Sequence, residues 1–383
     1  PAPKRSMPIL DRALTFTPLR QFVQRKAAQQ VKSQTKGFYP APVKALEVTL
    51  YGLAHGKRAG LEREADELGA LVVSPESKAL TNIFFLTEQS KALGKPARKV
   101  VESLHSCVIG AGVMGAGIAG LLAKNELTVV LKDAFEEALA RGLGHIDAYL
   151  KKLKYLREPE RRMIREKVET TTGTLDSLKR AGFVIEAVFE DLNVKRKVLG
   201  EVAAVAPDDA IIATNTSSLS VNEVGAELPN PERLVGMHFF NPVEKMPLIE
   251  IIRADRTSDR TLAIVAALSV KLGKFPIVVE NVPGFLVNRI LSPYLVEAAY
   301  LLKEGYDIGD IDKAAYKFGM PMGPIRLLDE VGLDVATHVS DILVAGYGNR
   351  MRGPQYTKTL SELGRKGKKS GQGFYDFGGE KER

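Results

Sequence analysis

Two residues of this chain stand where proton chemistry could be done. His238 closes the apolar run Leu234-Val235-Gly236-Met237, and Glu250 lies twelve residues later inside Leu248-Ile249-Glu250-Ile251-Ile252. A carboxylate among such neighbours needs a partner, because an unpaired buried charge is costly. A histidine is the fitting one: the pair would fix the imidazole tautomer and support a reversible general acid/base. The spacing is equally compatible with a satisfied core histidine and a glutamate turned to solvent on an edge strand. Asn215-Thr216-Ser217-Ser218 follows the run Ile211-Ile212-Ala213-Thr214 and offers hydroxyl and amide donors, or caps a following helix. Asn288 stands among Phe285, Leu286, Val287, Ile290 and Leu291, as a functional amide or as an ordinary polar position of an amphipathic helix.

A second group of residues says what the proton transfer would accompany. Gly110-Ala111-Gly112-Val113-Met114-Gly115 follows the apolar stretch Cys107-Val108-Ile109 and precedes a helical pattern marked by Ile118, Leu121 and Leu122. A Gly-x-Gly-x-x-Gly turn between strand and helix is the context of a dinucleotide-binding fold. Gly110 permits the tight turn, Gly112 the approach of a pyrophosphate, and Gly115 the packing of helix on strand. Thr128 to Leu131 reads as the next strand, ending at Asp133, roughly 20 residues past the turn, where an acid binds ribose hydroxyls and repels a 2′-phosphate. The expected cofactor is NAD rather than NADP. An enzyme that oxidises an alcohol with a nicotinamide needs a base, a group that orients the base and donors for the substrate oxygens, which are the residue types found above.

The elements around these residues form three stretches. In the first hundred residues Ala13 to Lys36 is basic and mixed in character, Tyr39-Pro40-Ala41-Pro42 breaks it, and helices are expected over Val43 to His55, Leu61 to Leu71, and Leu80 to Leu93 behind the helix start Ser74-Pro75-Glu76. From about Glu102 to Asn281 strands and helices alternate, which predicts a parallel doubly wound sheet. Its further strands are predicted at Phe183 to Val188, Ala210 to Thr214, Leu234 to His238, Leu248 to Ile252 and Phe275 to Val279, with a long charged helical stretch over Phe135 to Lys167. After Pro283-Gly284 the pattern is helical, over Phe285 to Lys303, Ile308 to Phe318 and Ile325 to Leu343, and Gly371 to Asp376 is a glycine turn expected to tuck back onto those helices.

Composition narrows the class. With 383 residues, 45% of them hydrophobic, the chain can bury two or three cores. It has no long uncharged apolar run and no apolar leader near its start, so no transmembrane segment is expected. The single Cys107 reads as a core residue and allows no internal disulfide. A net charge of +8 suits an anionic ligand. Lys151 to Lys154, Arg161 to Arg165 and Arg365 to Lys369 are spread along the chain without the aromatic interleaving of an RNA-binding module, so nucleic acid is not an expected partner, and no metal-ligand spacing occurs.

Taken together, Gly110 to Ala119, Val184 to Asp191, Asn215 to Ser218, His238-Phe239-Phe240-Asn241-Pro242 and Pro283-Gly284-Phe285 closely resemble the L-3-hydroxyacyl-CoA dehydrogenase family. Thr35 to Pro42 and Glu76 to Leu80 resemble the linker of the multifunctional fatty-acid oxidation α subunit. The resemblance implies a Rossmann-type doubly wound sheet followed by an all-helical C-terminal domain and preceded by a helical linker, divided as 1–99, 100–282 and 283–383. It implies His238 as acid/base, Glu250 as its orienting partner, and Ser217 and Asn288 as holders of substrate oxygens. Met114, Asp133, Val188, Glu190, Lys195, Ser217 and Asn241 match the family's NAD-contact positions. The implied activity is oxidation of an L-3-hydroxyacyl-CoA to the 3-ketoacyl-CoA in fatty-acid β-oxidation.

The same resemblance implies a longer parent. Family α subunits carry an N-terminal enoyl-CoA hydratase domain and a second copy of the helical domain, and neither is found in this sequence. The expected partners are therefore an acyl-CoA, a thiolase β subunit and a second copy of the chain, in a bacterial cytoplasm or an organelle matrix. Two rivals remain on the sequence alone. One is a β-hydroxyacid dehydrogenase acting on small free acids, which calls for a catalytic lysine that no position here demands. The other is a non-catalytic docking scaffold for a thiolase subunit.

Overall fold

The computed structural model describes residues 17–378 except 174. Contacts divide the chain into two units, one holding the residues up to Leu86 with Tyr316–Pro321, the other Thr87–Ala315 with the residues from Met322 onward.

The first unit is helical: α1 (Thr17–Thr35), α2 (Pro40–His55), α3 (Lys57–Val72) and the start of α4 (Pro75–Ala92). The Ser74 hydroxyl accepts the Ser77 N–H, so the sequence signal of capping serine and leading proline is realised. Helices α2 and α3 meet where a Cβ on Gly60 would come within 2.8 Å of the Gly52 Cα. The stretch Ala13 to Lys36, read as basic and mixed in character, holds α1, and its first residues lie outside those described.

The second unit is built on an eight-stranded sheet in the order β3-β2-β1-β4-β5-β6-β7-β8. Its strands are β1 (His105–Ile109), β2 (Thr128–Lys132), β3 (Val168–Thr171), β4 (Phe183–Glu186), β5 (Ile211–Thr214), β6 (Leu234–Phe239), β7 (Leu248–Arg253) and β8 (Phe275–Glu280). Side chains from both faces are buried, and α5 (Val113–Lys124), α6 (Glu136–Lys152), α8 (Leu192–Val205) and α10 (Asp259–Lys271) contribute to the two cores that cover them. Strands buried on both sides explain the unbroken apolar runs of the sequence. The chain goes outward from β1 in both directions, to β2 and to β4, so the topological switch lies beside the glycine turn that ends β1. Cys107 sits in β1, and burial pushes its thiol up to about 12, which leaves it a core residue at neutral pH.

Three expectations are corrected. The sheet is not wholly parallel, because β6 and β7 run antiparallel across the short connection 240–247, too short for a parallel crossover. The helical stretch Phe135 to Lys167 forms two helices, α6 and α7 (Glu158–Glu166), since Pro159 suits only a first turn and Arg157 with Glu160 forms a capping box there; the edge strand β3, which the sequence reading lacked, follows. The helix over Ile325 to Leu343 is also two, α13 (Pro324–Val331) and α14 (Leu333–Tyr347), parted at Gly332 with φ +101°.

Beyond β8 come α11 (Val287–Lys303), α12 (Ile308–Phe318), α13, α14 and α15 (Tyr356–Glu362), with the short α9 (Val221–Val224) left in the sheet region. The glycine turn at the C-terminal end does fold back. Phe374 and Tyr375 donate their N–H groups to the buried Asp329 carboxyl, the Tyr375 hydroxyl donates to Asp312, and both rings pack on Ala298, Ile311 and Ile325.

Candidate active site

The antiparallel pair β6–β7 sets His238 directly across from Glu250. Their side chains meet at 2.7 Å between Nδ1 and Oε2, with His238 5% exposed and Glu250 wholly buried. The other Glu250 oxygen accepts the N–H groups of Leu286 at 3.0 Å and Val287 at 2.9 Å. The glutamate is therefore not turned to solvent. Its carboxylate joins the imidazole to the opening of α11, where free N–H groups and the helix dipole favour a negative charge. With Nδ1 committed to the carboxylate, Nε2 is the nitrogen left to exchange a proton. The rings of Phe240 and Phe285 flank the imidazole at 4.5 and 5.8 Å between centroids. Phe285 is buried in a left-handed conformation, φ +52°, an unfavourable geometry for a non-glycine residue.

Asn288 lies in the first turn of α11 and donates from Nδ2 to the Ser217 carbonyl at 3.2 Å, which brings two of the predicted site residues together. The Asn215–Ser218 loop serves mainly Glu190. Oε1 of that residue receives the Thr216 hydroxyl at 2.6 Å and the Ser217 N–H at 2.9 Å. The helix cap is supplied by Ser220 instead, which accepts from the Glu223 N–H. Asn215 ties β5 to β6 by accepting the Phe239 N–H.

On the cofactor side Gly110 has φ +101°, and a Cβ there would stand 2.5 Å from the Ala187 carbonyl oxygen. A Cβ on Gly115 would overlap the Gly110 carbonyl, whereas one on Gly112 meets no heavy atom within 4 Å. Helix α5 opens at Gly112 without a side-chain cap. The open cradle and uncapped helix start fit a pyrophosphate. Asp133 ends β2, holding the Ala111 N–H at 2.7 Å and the Phe135 N–H at 3.2 Å. Met114 is half-buried, and Asn241 is exposed just past the end of β6. The fourth glycine of the turn region, Gly117, makes room for Val243, 3.0 Å from where its Cβ would be.

Lys195 is wholly buried, with its ammonium between Glu186 at 2.8 Å and Glu190 at 3.2 Å. Glu186 also accepts the Thr214 hydroxyl and the Val188 N–H. Burial alone would raise the Glu190 carboxyl, but Lys195, the Thr216 hydroxyl and the Ser217 N–H together hold it below the usual range. Sequence reasoning passed over Glu186, although it carries the signal that singled out Glu250, a carboxylate closing an apolar strand. It also missed Lys274, buried beneath the 240–247 connection and donating to the carbonyls of Val243 and Met246. Among the described residues no cluster of three His, Cys, Asp or Glu could hold a metal ion, and no helix is long and apolar enough to cross a membrane.

Comparison with known proteins accords with this geometry. The 3-hydroxyacyl-CoA dehydrogenase NAD-binding domain matches residues 105–282, and the C-terminal domain of the same family matches 284–377. The chain belongs to the 3-hydroxyacyl-CoA dehydrogenase family. It is an NAD-dependent oxidoreductase of that family. The dehydrogenase is 43% identical over 366 residues to the fatty acid oxidation complex subunit alpha of Vibrio vulnificus, covering 94% of this chain and 52% of the relative. The corresponding subunit of Shewanella amazonensis is 41% identical, with 97% and 53% covered. The chain thus spans about half the length of the curated relatives it matches. Among solved structures, FadB2 of M. tuberculosis superposes with a TM-score of 0.69 at 34% identity, covering 72% of this chain and 99% of that one. For the (S)-3-hydroxybutyryl-CoA dehydrogenase PaaH1 of Ralstonia eutropha the TM-score is 0.68 at 37% identity, with 72% and 100% covered.

Proposed function

We propose that the dehydrogenase interconverts L-3-hydroxyacyl-CoA and 3-ketoacyl-CoA in fatty-acid β-oxidation. The observation that carries this reading is the His238–Glu250 pair locked to the start of α11, with Asn288 and Ser217 in contact beside it. NAD, when bound, supplies the acceptor for the hydride that leaves C3 of the substrate. Gly110, Gly112 and Gly115 leave room for its pyrophosphate, Asp133 takes the ribose hydroxyls, and Met114, Val188, Glu190, Ser217 and Asn241 line its path. Lys195 acts through Glu190, which it holds ionised.

In the oxidation direction Nε2 of His238 takes the hydroxyl proton as the C3–O bond becomes a carbonyl. Glu250 stabilises the imidazolium so formed and prevents the ring from turning. Asn288 and the Ser217 hydroxyl hold the substrate oxygens. The positive balance of the chain suits the CoA phosphates. In a polypeptide as long as those relatives, a hydratase activity would supply the 3-hydroxy ester and a thiolase subunit would consume the 3-keto ester, in the cytoplasm as befits bacterial relatives. Self-association of this chain belongs to the same proposal.

The test is NADH consumption with acetoacetyl-CoA, against free acetoacetate as substrate and NADPH as cofactor. Turnover confined to the CoA ester with NADH is expected. Activity on the free acid would instead favour a small-acid dehydrogenase, and turnover with NADPH would remove the role given to Asp133.

A further inference from the structure

A cavity adjoins the site. It measures about 130 Å³ and lies between α11, α13, α14 and the 353–357 segment, with Asn288 at one end. Beyond Asn288 its lining is mostly aliphatic, including Leu291, Leu295, Ala299, Leu328 and Val339. Its capacity is close to that of the apolar cavity of ~150 Å³ that holds a benzene molecule. No charged side chain lines it, so it suits neither the CoA phosphates nor the cofactor. Asn288 also donates to Ser217, so a single residue borders both the catalytic site and the cavity. From Asn288 to Ala299 the helix rises roughly 16 Å, beyond the reach of a four-carbon ester, and the volume suits the tail of a medium-length alkyl chain.

We propose that this cavity receives the alkyl tail of the substrate and sets the preference for longer acyl chains. The inference rests on the proposed function and names what that reading leaves open. A chain bound at C3 beside His238 and Asn288 follows the aliphatic side of α11, with its methyl end between Ala299 of α11 and Ala336 and Val339 of α14. These helices are fixed by their own packing, so the cavity exists before substrate arrives and its filling releases water from apolar surface. Each methylene so buried is worth about fourfold in binding.

The experiment measures kcat/KM for 3-ketoacyl-CoA esters of four to twelve carbons in the 383-residue chain and in three variants. Ala299→Phe and Ala336→Phe fill the cavity from opposite walls, and Leu295→Ala enlarges it. For the unmodified chain kcat/KM is expected to rise with length. In both filling variants the ratio of ten-carbon to four-carbon kcat/KM falls tenfold or more, while Leu295→Ala moves the optimum to a longer chain. NADH affinity is measured alongside, so that a misfolded variant is recognised and replaced by its counterpart on the opposite wall. A ratio unmoved in all three folded variants overturns the proposal. So does a filling variant that changes the mass seen by light scattering and leaves the ratio alone, since the cavity would then seat a helix of a second copy. Absence of turnover on every ester of the series in the unmodified chain counts against the proposed function itself, not against the cavity.

Discussion

Glu250 has two tasks that a single substitution can separate. One oxygen orients His238 and the other holds the Leu286 and Val287 N–H groups. Glu250→Gln replaces one acceptor by an amide NH₂, which must face either the imidazole N–H or the helix N–H groups. We expect kcat to fall roughly 10²–10⁴-fold, the range for a misoriented or missing acid/base, with NADH affinity near that of the unmodified chain. His238→Gln removes the base and should lose a similar factor. Because the two residues act as a unit, the double variant should be little worse than either single one, and losses that multiply would show independent roles. Glu190 gives a pH signature. Its carboxyl is held below the usual range, so its ionised form stabilises the fold fully above the ordinary carboxylate pKa of ~4.3, and that share disappears as pH falls through the depressed value. Glu190→Gln should therefore flatten the decline of stability on the acid side, measured by denaturant unfolding from neutral to acid pH. Superimposable acid limbs would show that Lys195, Thr216 and Ser217 confer nothing through this group.

At the scale of elements, the glycine turn carries two different constraints that its spacing alone does not separate. A methyl on Gly115 collides with the Gly110 carbonyl, whereas one on Gly112 enters open space at an ordinary φ of −66°. Gly115→Ala should cost stability, about 1–3 kcal/mol by overpacking, and weaken NADH binding as well. Gly112→Ala should leave the melting temperature unchanged and still weaken NADH, because its methyl stands only in the way of the ligand. Equal melting losses for the two would refute that division. The turn, the strand ends and the paired His238 and Glu250 were legible because apolar runs, glycine spacing and isolated polar residues are local signals. The antiparallel turn of β7 was not, since strand direction is decided by pairing and by the length of the 240–247 connection. Yet that reversal is what puts Glu250 opposite His238. The edge strand Val168–Thr171 was hidden behind charged helical sequence, and the breaks at Pro159 and Gly332 were masked by amphipathic patterns that continue across them. Lys195 was read without Glu186, whereas the burial of both is possible only as a pair with Thr214 in hydrogen-bonding reach.

For the whole molecule, the share of the relatives that it represents bears on its surface. In the first unit Ile83, Phe84, Phe85 and Leu86 are consecutive on α4 and each is more than half exposed; in the second, Leu286 just before α11 and Ile290 in its first turn are exposed. Large apolar side chains clustered on a surface mark a contact with another chain or segment. The relatives are about twice as long as this chain, so in them further polypeptide is available to cover such surface. The proposed self-association would cover such surface with a second copy, and hydrophobic association of that kind is driven by concentration. Light scattering should show a mass that rises from one chain toward two as concentration increases. Phe84→Glu with Phe85→Glu, which places charge in the middle of the exposed α4 run, should move that transition to higher concentration without altering NADH affinity. A mass of one chain throughout would set self-association aside, and a mass transition indifferent to both substitutions would move the interface away from α4 to the exposed face of α11.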